Sequence, residues 1–158
     1  MKKAFTLIEL MVVVAIVALL ASIAIPRYFK FHAKAKQVEA AMILSSLHTA
    51  QQIYWSENGR YSTNLNGPGG IGWKPAGYNG SGEKANFYYT YGFYFPGAIE
   101  GVHFFTGKLK TPPRKLGDCF AKKSKFVARA AGDLMGDDKC DLWSVDETRS
   151  IKHDQNGI

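Results

Sequence analysis

Glu9 is the only ionisable side chain in an apolar run that extends from Phe5 to Ile25. As a helix, this run would span about 31 Å, which is enough to cross a bilayer. A carboxylate in hydrocarbon costs about 2.5–3.5 kcal/mol on insertion scales, so a chain that keeps one usually supplies a partner for it. The alternative is that Glu9 lies near the headgroups, where its side chain reaches water. The run therefore predicts a membrane helix whose single charge is either paired or interfacial.

Lys2 and Lys3 precede the apolar run, and the positive-inside rule therefore leaves the N-terminus in the cytoplasm. Two topologies are compatible with this arrangement. A secretory signal would be cleaved near the small residues 21–24 and would release a soluble protein. However, the basic segment is short, the apolar run is longer than in an ordinary signal, and Glu9 is acidic. The pattern therefore favours a helix that stays attached to the rest of the chain.

Cys119 and Cys140 are the only cysteines in the chain. They are too few for a zinc site of the usual spacing, and nearby histidines do not complete one. A disulfide is the preferred interpretation, and it requires an oxidising compartment such as the periplasm or the cell surface. Closing a loop of about twenty residues would stabilise the fold by roughly 3 kcal/mol in the chain-entropy model.

An acidic string near the C-terminus could supply oxygen ligands to a calcium ion. Its four aspartates lie within nine residues: Asp133, Asp137, Asp138 and Asp141. The alternating ligands and the terminal glutamate of an EF-hand are absent. We therefore expect either no cofactor or a calcium ion bound at this string.

The net charge of +7 is distributed unevenly along the chain. Residues 108–129 contain eight basic residues against one acidic residue, a net of +7, whereas residues 132–158 contain three against seven, a net of −4. A basic strip beside an acidic strip suits lateral packing of subunits or contact with anionic surfaces, and a solvated face is the alternative. The residues expected to contact DNA or another anionic surface are Lys122, Lys123, Lys125 and Arg129.

An enzyme is not predicted. Gly67, Gly69 and Gly72 match a nucleotide-binding pattern by letter, but Pro68 interrupts it, and the flanking strand and helix are missing. The four histidines are scattered and lack the spacing of metal ligands or of a catalytic triad. We therefore expect no catalytic residue.

The chain beyond Pro26 has the apolar spacing of an amphipathic helix, which Asn58 and Gly59 are expected to end. Pro26 lacks an amide donor and its ring crowds the preceding turn, so a kink or local melting is predicted at residues 22–26. Four basic residues on the first turns outside the membrane can meet anionic headgroups: Arg27, Lys30, Lys34 and Lys36.

Four later runs have the composition of strands: residues 86–95, 102–109, 125–131 and 141–146. A loop rich in Gly, Asn and Ser separates them from the helix. Short strands with turns between them predict an antiparallel sheet whose apolar face covers the helix, an α+β fold. The many aromatic residues are expected to pack in the core and across strands.

The N-terminal string MKKAFTLIELMVVVAIVALLASIAIP resembles the class III signal of type IV pilins. The resemblance implies that a prepilin peptidase cuts between Ala4 and Phe5 and that the new amino group of Phe5 is methylated. It also implies that Glu9 pairs with the terminal amine of a neighbouring subunit in the filament, and Pro26 stands at the position expected for the family. Ala4 replaces the usual glycine, and we expect cleavage to proceed, if more slowly.

The same resemblance implies the type IV pilin fold, a long N-terminal helix packed on an antiparallel sheet. The expected organisation is a leader at 1–4, a membrane and filament-core helix at 5–26 and a head at 27–158. Within the head we expect an amphipathic helix half at 27–57, a loop at 58–86, a sheet at 87–146 and a disulfide-bounded region at 119–140.

The function implied by the resemblance is that of a pilus subunit used for adhesion, twitching motility or DNA uptake. Its partners would be other copies of the chain, the prepilin peptidase and the assembly machinery. It would cross the inner membrane once before assembly and form an extracellular filament afterwards. A minor pilin or a type II secretion pseudopilin is the alternative, and some pseudopilins bind calcium in a C-terminal loop. A membrane-anchored protein that never polymerises would have no use for a pairing carboxylate.

Overall fold

The computed structural model describes residues 5–158, so the predicted leader at 1–4 and the Ala4 side of the cleavage site lie outside the described residues. The first element is helix α1, Leu7–Asn58. Gly59 follows it with φ +65° and donates its amide to the Trp55 carbonyl over 2.8 Å. This is the left-handed end that glycine favours, and the prediction that Asn58 and Gly59 end the helix is confirmed.

Helix α1 continues through Pro26 without interruption. The predicted local melting at residues 22–26 is therefore wrong for this chain. Proline has a φ angle that suits a helix, so the chain can stay helical on both sides of Pro26 despite the lost hydrogen bond and the contact of the ring with the preceding turn. The kink stays a prediction.

The chain divides into two compact units, one that ends at Ala35 and one that comprises Lys36–Ile158. The described part of the first unit is helical from Leu7 onwards. The second unit contains the rest of α1, an irregular segment with a short 3-10 helix at Gly82–Lys84, and the sheet. We refer to the second unit as the head.

The sheet of the head has six antiparallel strands: β1 Thr90–Gly92, β2 Phe104–Phe105, β3 Phe120–Ala121, β4 Phe126–Asp133, β5 Cys140–Asp146 and β6 Ile151–Gln155. The strand order is β2-β1-β4-β5-β6, and β3 pairs with β4 beyond the end of β1. Strand β4 is therefore the centre of the sheet, with β5 along one edge and β1 and β3 along the other.

The α+β class is confirmed, but the strands differ from the predicted ones. The aromatic run 86–95 forms only the three residues of β1, partly because the Tyr88 amide donates to the Glu39 carboxylate instead of to a strand, over 2.8 Å. At the other end of β1, a Cβ on Gly92 would lie 2.4 Å from the His103 carbonyl oxygen. The two segments therefore approach too closely for any residue with a side chain at position 92. Strand β6, which is short and exposed, extends the sheet past the predicted end at 146.

The core of the head lies between α1 and the sheet. Helix residues Ala40, Leu44 and Leu47 are completely buried there. The largest buried side chains are aromatic: Phe87, Tyr89, Tyr91, Phe93, Phe105 and Phe126. The expectation that the aromatic residues serve packing is therefore confirmed for these positions.

Candidate functional site

The start of α1 holds the one carboxylate of the apolar segment. Glu9 Oε2 accepts hydrogen bonds from the Thr6 amide at 2.9 Å and from Thr6 Oγ1 at 2.7 Å. In return, the Glu9 amide donates to Thr6 Oγ1 over 3.3 Å. This is a capping box, in which two side chains satisfy amides that have no partner within the helix. It holds the Glu9 carboxylate at the positive end of the helix dipole.

The role of Thr6 was missed in the sequence, although the signature Thr-x-x-Glu before an apolar run could have found it. Both hydrogen bonds from Thr6 end on Oε2 of Glu9. Among the described residues, none donates a hydrogen bond to Oε1. The carboxylate is therefore fixed by one oxygen and can accept another donor at the second.

The apolar side chains around Glu9 are exposed. Every large apolar side chain between Phe5 and Ile25 is at least 51% exposed, and Phe5 itself is 79% exposed. This part of α1 is long and apolar enough to cross a membrane. Soluble monomers rarely leave an apolar surface of this extent open to water, so lipid or other protein must cover it.

The predicted disulfide between Cys119 and Cys140 is not formed, because the structure contains both as free thiols. The sheet register gives the physical reason. Cys119 precedes Phe120, which pairs with Val127, whereas Cys140 pairs with Asp133. Continuing this register, Cys119 falls opposite Ala128, which is five strand residues or roughly 17 Å from Asp133, and a disulfide requires Cα atoms within about 7 Å.

Each thiol has its own surroundings. Cys119 Sγ accepts the Tyr94 amide at 2.9 Å and lies 3.5 Å from the Tyr94 carbonyl oxygen, to which it can donate. Cys140 is buried at the start of β5. Burial raises the pKa of both thiols and favours their neutral forms.

The four candidate calcium ligands are not brought together. Asp133 accepts the amides of Gly136, Asp137 and Asp138 at 2.7, 3.3 and 3.2 Å, and so organises the turn between β4 and β5. Within residues 5–158, no three acidic, histidine or cysteine side chains form a group that could hold a metal ion. The structure therefore lends the predicted calcium site no support.

Asp141, the fourth aspartate, is completely buried at the centre of a hydrogen-bond network. Its Oδ2 accepts Tyr89 OH at 2.6 Å and the Trp143 indole at 2.7 Å. Its Oδ1 accepts Gln37 Nε2 at 2.8 Å and the Gly157 amide at 3.0 Å. These donors come from α1, β5, the segment before β1 and the C-terminus, so one carboxylate joins four parts of the head.

His153 completes this network from β6, with Nε2 2.8 Å from Asp141 Oδ1. Its ring also stacks on Trp143, with the ring centroids 4.2 Å apart. Burial would raise the pKa of Asp141, but the hydrogen bonds, led by that from Tyr89, hold the pKa below its usual value. Asp141 is therefore a structural anion, and we call the network the Asp141 clasp.

The basic run 108–129 does not form one continuous face. Lys110 pairs with Glu83 at 2.6 Å, and Arg129 is half-buried, donates to the Leu116 carbonyl at 3.2 Å and lies 3.9 Å from Asp154. Strand β4 directs Arg129 into these contacts, and its predicted contact with DNA or another anionic surface stays a prediction.

Lys122, Lys123 and Lys125 remain together and exposed at the turn between β3 and β4. We call them the basic hairpin. The Trp55 indole donates to the Lys123 carbonyl at 3.2 Å, so the hairpin lies beside the end of α1. No ion pair within the described part of the chain involves these three lysines.

Comparisons with known proteins agree with the predicted N-terminal signal. Residues 1–25 match the prokaryotic N-terminal methylation motif. The type IV major pilin protein PilA of Myxococcus xanthus is 57% identical over 60 residues, 38% of this chain and 27% of that protein. The type IV major pilin protein PilE1 of Neisseria gonorrhoeae is 36% identical over 84 residues, 53% and 50% of the two chains. A fimbrial protein of Pseudomonas aeruginosa is 49% identical over 51 residues, 32% of this chain and 33% of that protein.

The matched residues make up between 27% and 50% of the length of these curated relatives. A methylation motif, an exposed apolar helix long enough to cross a membrane and a head with an antiparallel sheet occur together in this chain, and the first two fit membrane anchoring. The relatives are named as type IV major pilins or fimbrial proteins, so this chain is similar to type IV pilins over the matched residues.

Proposed function

We propose that the chain is a structural subunit of a type IV pilus that polymerises through α1 into a surface filament. The exposed apolar half of α1, with its one carboxylate held at the start, is the observation that supports this most directly. Lipid covers this surface before assembly, and the same surface of other copies covers it afterwards. The filament would serve adhesion, twitching motility or DNA uptake.

The proposed assembly contact joins Glu9 to the terminal amine of another copy. Cleavage before Phe5 by a prepilin peptidase creates this amine four residues from Glu9, and methylation leaves it cationic at neutral pH. None of the described residues donates a hydrogen bond to Oε1 of Glu9, so this oxygen can accept one from the terminal amine. Oε2 keeps its hydrogen bonds from Thr6. In an apolar filament core, such an ion pair lets each charge compensate the other. Loss of one partner would leave the other as an uncompensated buried charge.

The proposed topology follows from the same segment. Before assembly the chain crosses the inner membrane once, with its N-terminus in the cytoplasm and the head outside. The assembly machinery then extracts it. A minor pilin or a secretion pseudopilin is the alternative, and it is not favoured, because the relatives are named as major pilins or fimbrial proteins.

Mass spectrometry of sheared surface filaments tests the proposal. A major subunit should appear as the dominant chain and should begin at methylated Phe5. A protein released into the medium without residues 5–25 would contradict the proposal, because the apolar segment would then be an export signal.

Glu9→Ala tests the assembly contact. The variant should reach the membrane at a normal level and yield far fewer filaments, because the terminal amine loses its partner. Glu57→Ala removes the same charge from the exposed end of α1 and is the matched control. Equal filament yields from the two variants would refute the role of Glu9.

A further inference from the structure

Three cations lie on one side of α1 just beyond the apolar segment. Arg27, Lys30 and Lys34 are spaced by three and four residues, which places them within about 60° of one another around the helix. All three are exposed, and with Phe31 they line a shallow concavity. We call these three residues the basic face.

The basic face has no counter-charge in its own surroundings. The sequence contains no acidic residue between Glu9 and Glu39. No ion pair among residues 5–158 involves Arg27, Lys30 or Lys34. Three adjacent cations repel one another, so an anion from outside the chain would be bound favourably here.

Aromatic rings occupy the opposite side of the same turns. Tyr28 is 62% exposed and lies edge to face with Phe29 and His32, at centroid distances of 6.0 and 5.1 Å. Aromatic residues mixed with long cationic side chains are typical of a helix at a membrane interface. The basic face and the aromatic rings on the other side of the helix therefore suit the headgroup layer of a membrane better than bulk water.

The helix geometry places the basic face at the depth of that layer. Helix α1 is continuous here, and at 1.5 Å per residue Arg27 lies about 3 Å beyond Ile25, Lys30 about 8 Å and Lys34 about 14 Å. The headgroup region extends roughly 5–8 Å beyond the hydrocarbon. Arg27 and Lys30 therefore lie within reach of phosphates, and the long side chain of Lys34 extends back towards them.

We propose that the basic face binds the phosphate headgroup of an anionic phospholipid, in the leaflet on the side of the head. The inference rests on the membrane stage of the proposed function. Cations on the translocated side run against the usual charge bias, and lipid binding gives them a role before assembly. The bound lipid holds the helix at a fixed depth until the subunit is extracted.

Native mass spectrometry of the full chain, released from nanodiscs of equal parts phosphatidylglycerol and phosphatidylcholine, tests the proposal. The wild type should retain phosphatidylglycerol in several-fold excess over phosphatidylcholine. Replacing Arg27, Lys30 and Lys34 with glutamine should reduce the ratio to that of the bilayer. Replacing Arg60, Lys74 and Lys84 with glutamine removes the same charge from exposed positions in the head and should leave the excess unchanged.

Several results would overturn the inference. One is the absence of phosphatidylglycerol excess in the wild type, and another is an equal loss in both variants, which would assign the effect to net charge. If the basic-face variant keeps its lipid excess but forms no filaments, the face is a contact between copies of the chain. If lipid selectivity fails while wild-type filaments form normally, only this inference falls and the pilus subunit stands.

Discussion

Replacing Asp141 with alanine should destabilise the head strongly, because its carboxylate accepts five hydrogen bonds in a buried site. The Tyr89 hydroxyl and the Gly157 amide are buried and cannot turn to water. A buried donor without a partner costs about 1–3 kcal/mol, so these two alone cost about 2–6 kcal/mol. The three other donors are partly exposed and can find water. We expect a net loss of about 4 kcal/mol, within the range for breaking a buried charged pair.

Chemical denaturation of the full chain in detergent, followed by tryptophan fluorescence, measures this loss. Trp143 is a local reporter, since it donates to Asp141 and stacks on His153. Asp118→Ala removes the same charge from an exposed position and should change the free energy of unfolding by less than about 0.5 kcal/mol. A loss below about 1 kcal/mol for Asp141→Ala, or one equal to the control, would refute the reasoning.

The pH dependence of stability follows from the same carboxylate. Its pKa lies below the ordinary value of 3.8, so the folded state binds the proton less readily than the unfolded state does. The stabilisation is complete above pH 3.8 and is lost as the pH falls below that value. Denaturation curves measured at several pH values should show that the free energy of unfolding of the wild type falls below pH 3.8. The free energy of unfolding of Asp141→Ala should fall less over the same range. The same pH dependence in both proteins would contradict the assignment of this loss to Asp141.

Three further predictions concern other parts of the molecule. Titration of the denatured wild type without reductant should detect two thiols, Cys119 and Cys140, whereas a disulfide would leave none. Thr6→Val should lower filament yield while Thr6→Ser preserves it, because only the hydroxyl completes the capping box; equal yields would exclude a positioning role for Thr6. If the basic hairpin binds DNA, affinity should fall steeply with salt and be lost when its lysines become alanine, and affinity that responds to neither change would end that hypothesis.

The features that depend on local sequence were predicted well. The length of α1 and its end at Asn58 follow from apolar spacing and from a glycine that accepts a positive φ. The α+β class follows from a long helix and later strand runs. The capping box is equally local, and the Thr-x-x-Glu pattern was available in the sequence.

The features that depend on register could not be predicted. Nothing in the spacing of Cys119 and Cys140 shows that β4 places them at well-separated positions. Arg129 belongs to the basic run by sequence, yet its place on a central strand directs it towards Leu116 and Asp154. Strand β6 was missed because its composition is polar, as an exposed edge strand permits.

The Asp141 clasp occupies the structural role that the disulfide was expected to fill. A disulfide would have linked two positions within the C-terminal region. In contrast, Gln37 of α1 donates hydrogen bonds to Asp141 at 2.8 Å and to Asn156, beside the C-terminus, at 3.2 Å. A side chain on Gly157 would lie 2.7 Å from the Asp141 amide nitrogen, so the approach of the chain end requires glycine. The end of the chain is thus tied to the helix by hydrogen bonds, which form without an oxidant. The same carboxylate was a candidate calcium ligand, but its two oxygens already accept five hydrogen bonds, and a cation would have to displace those donors.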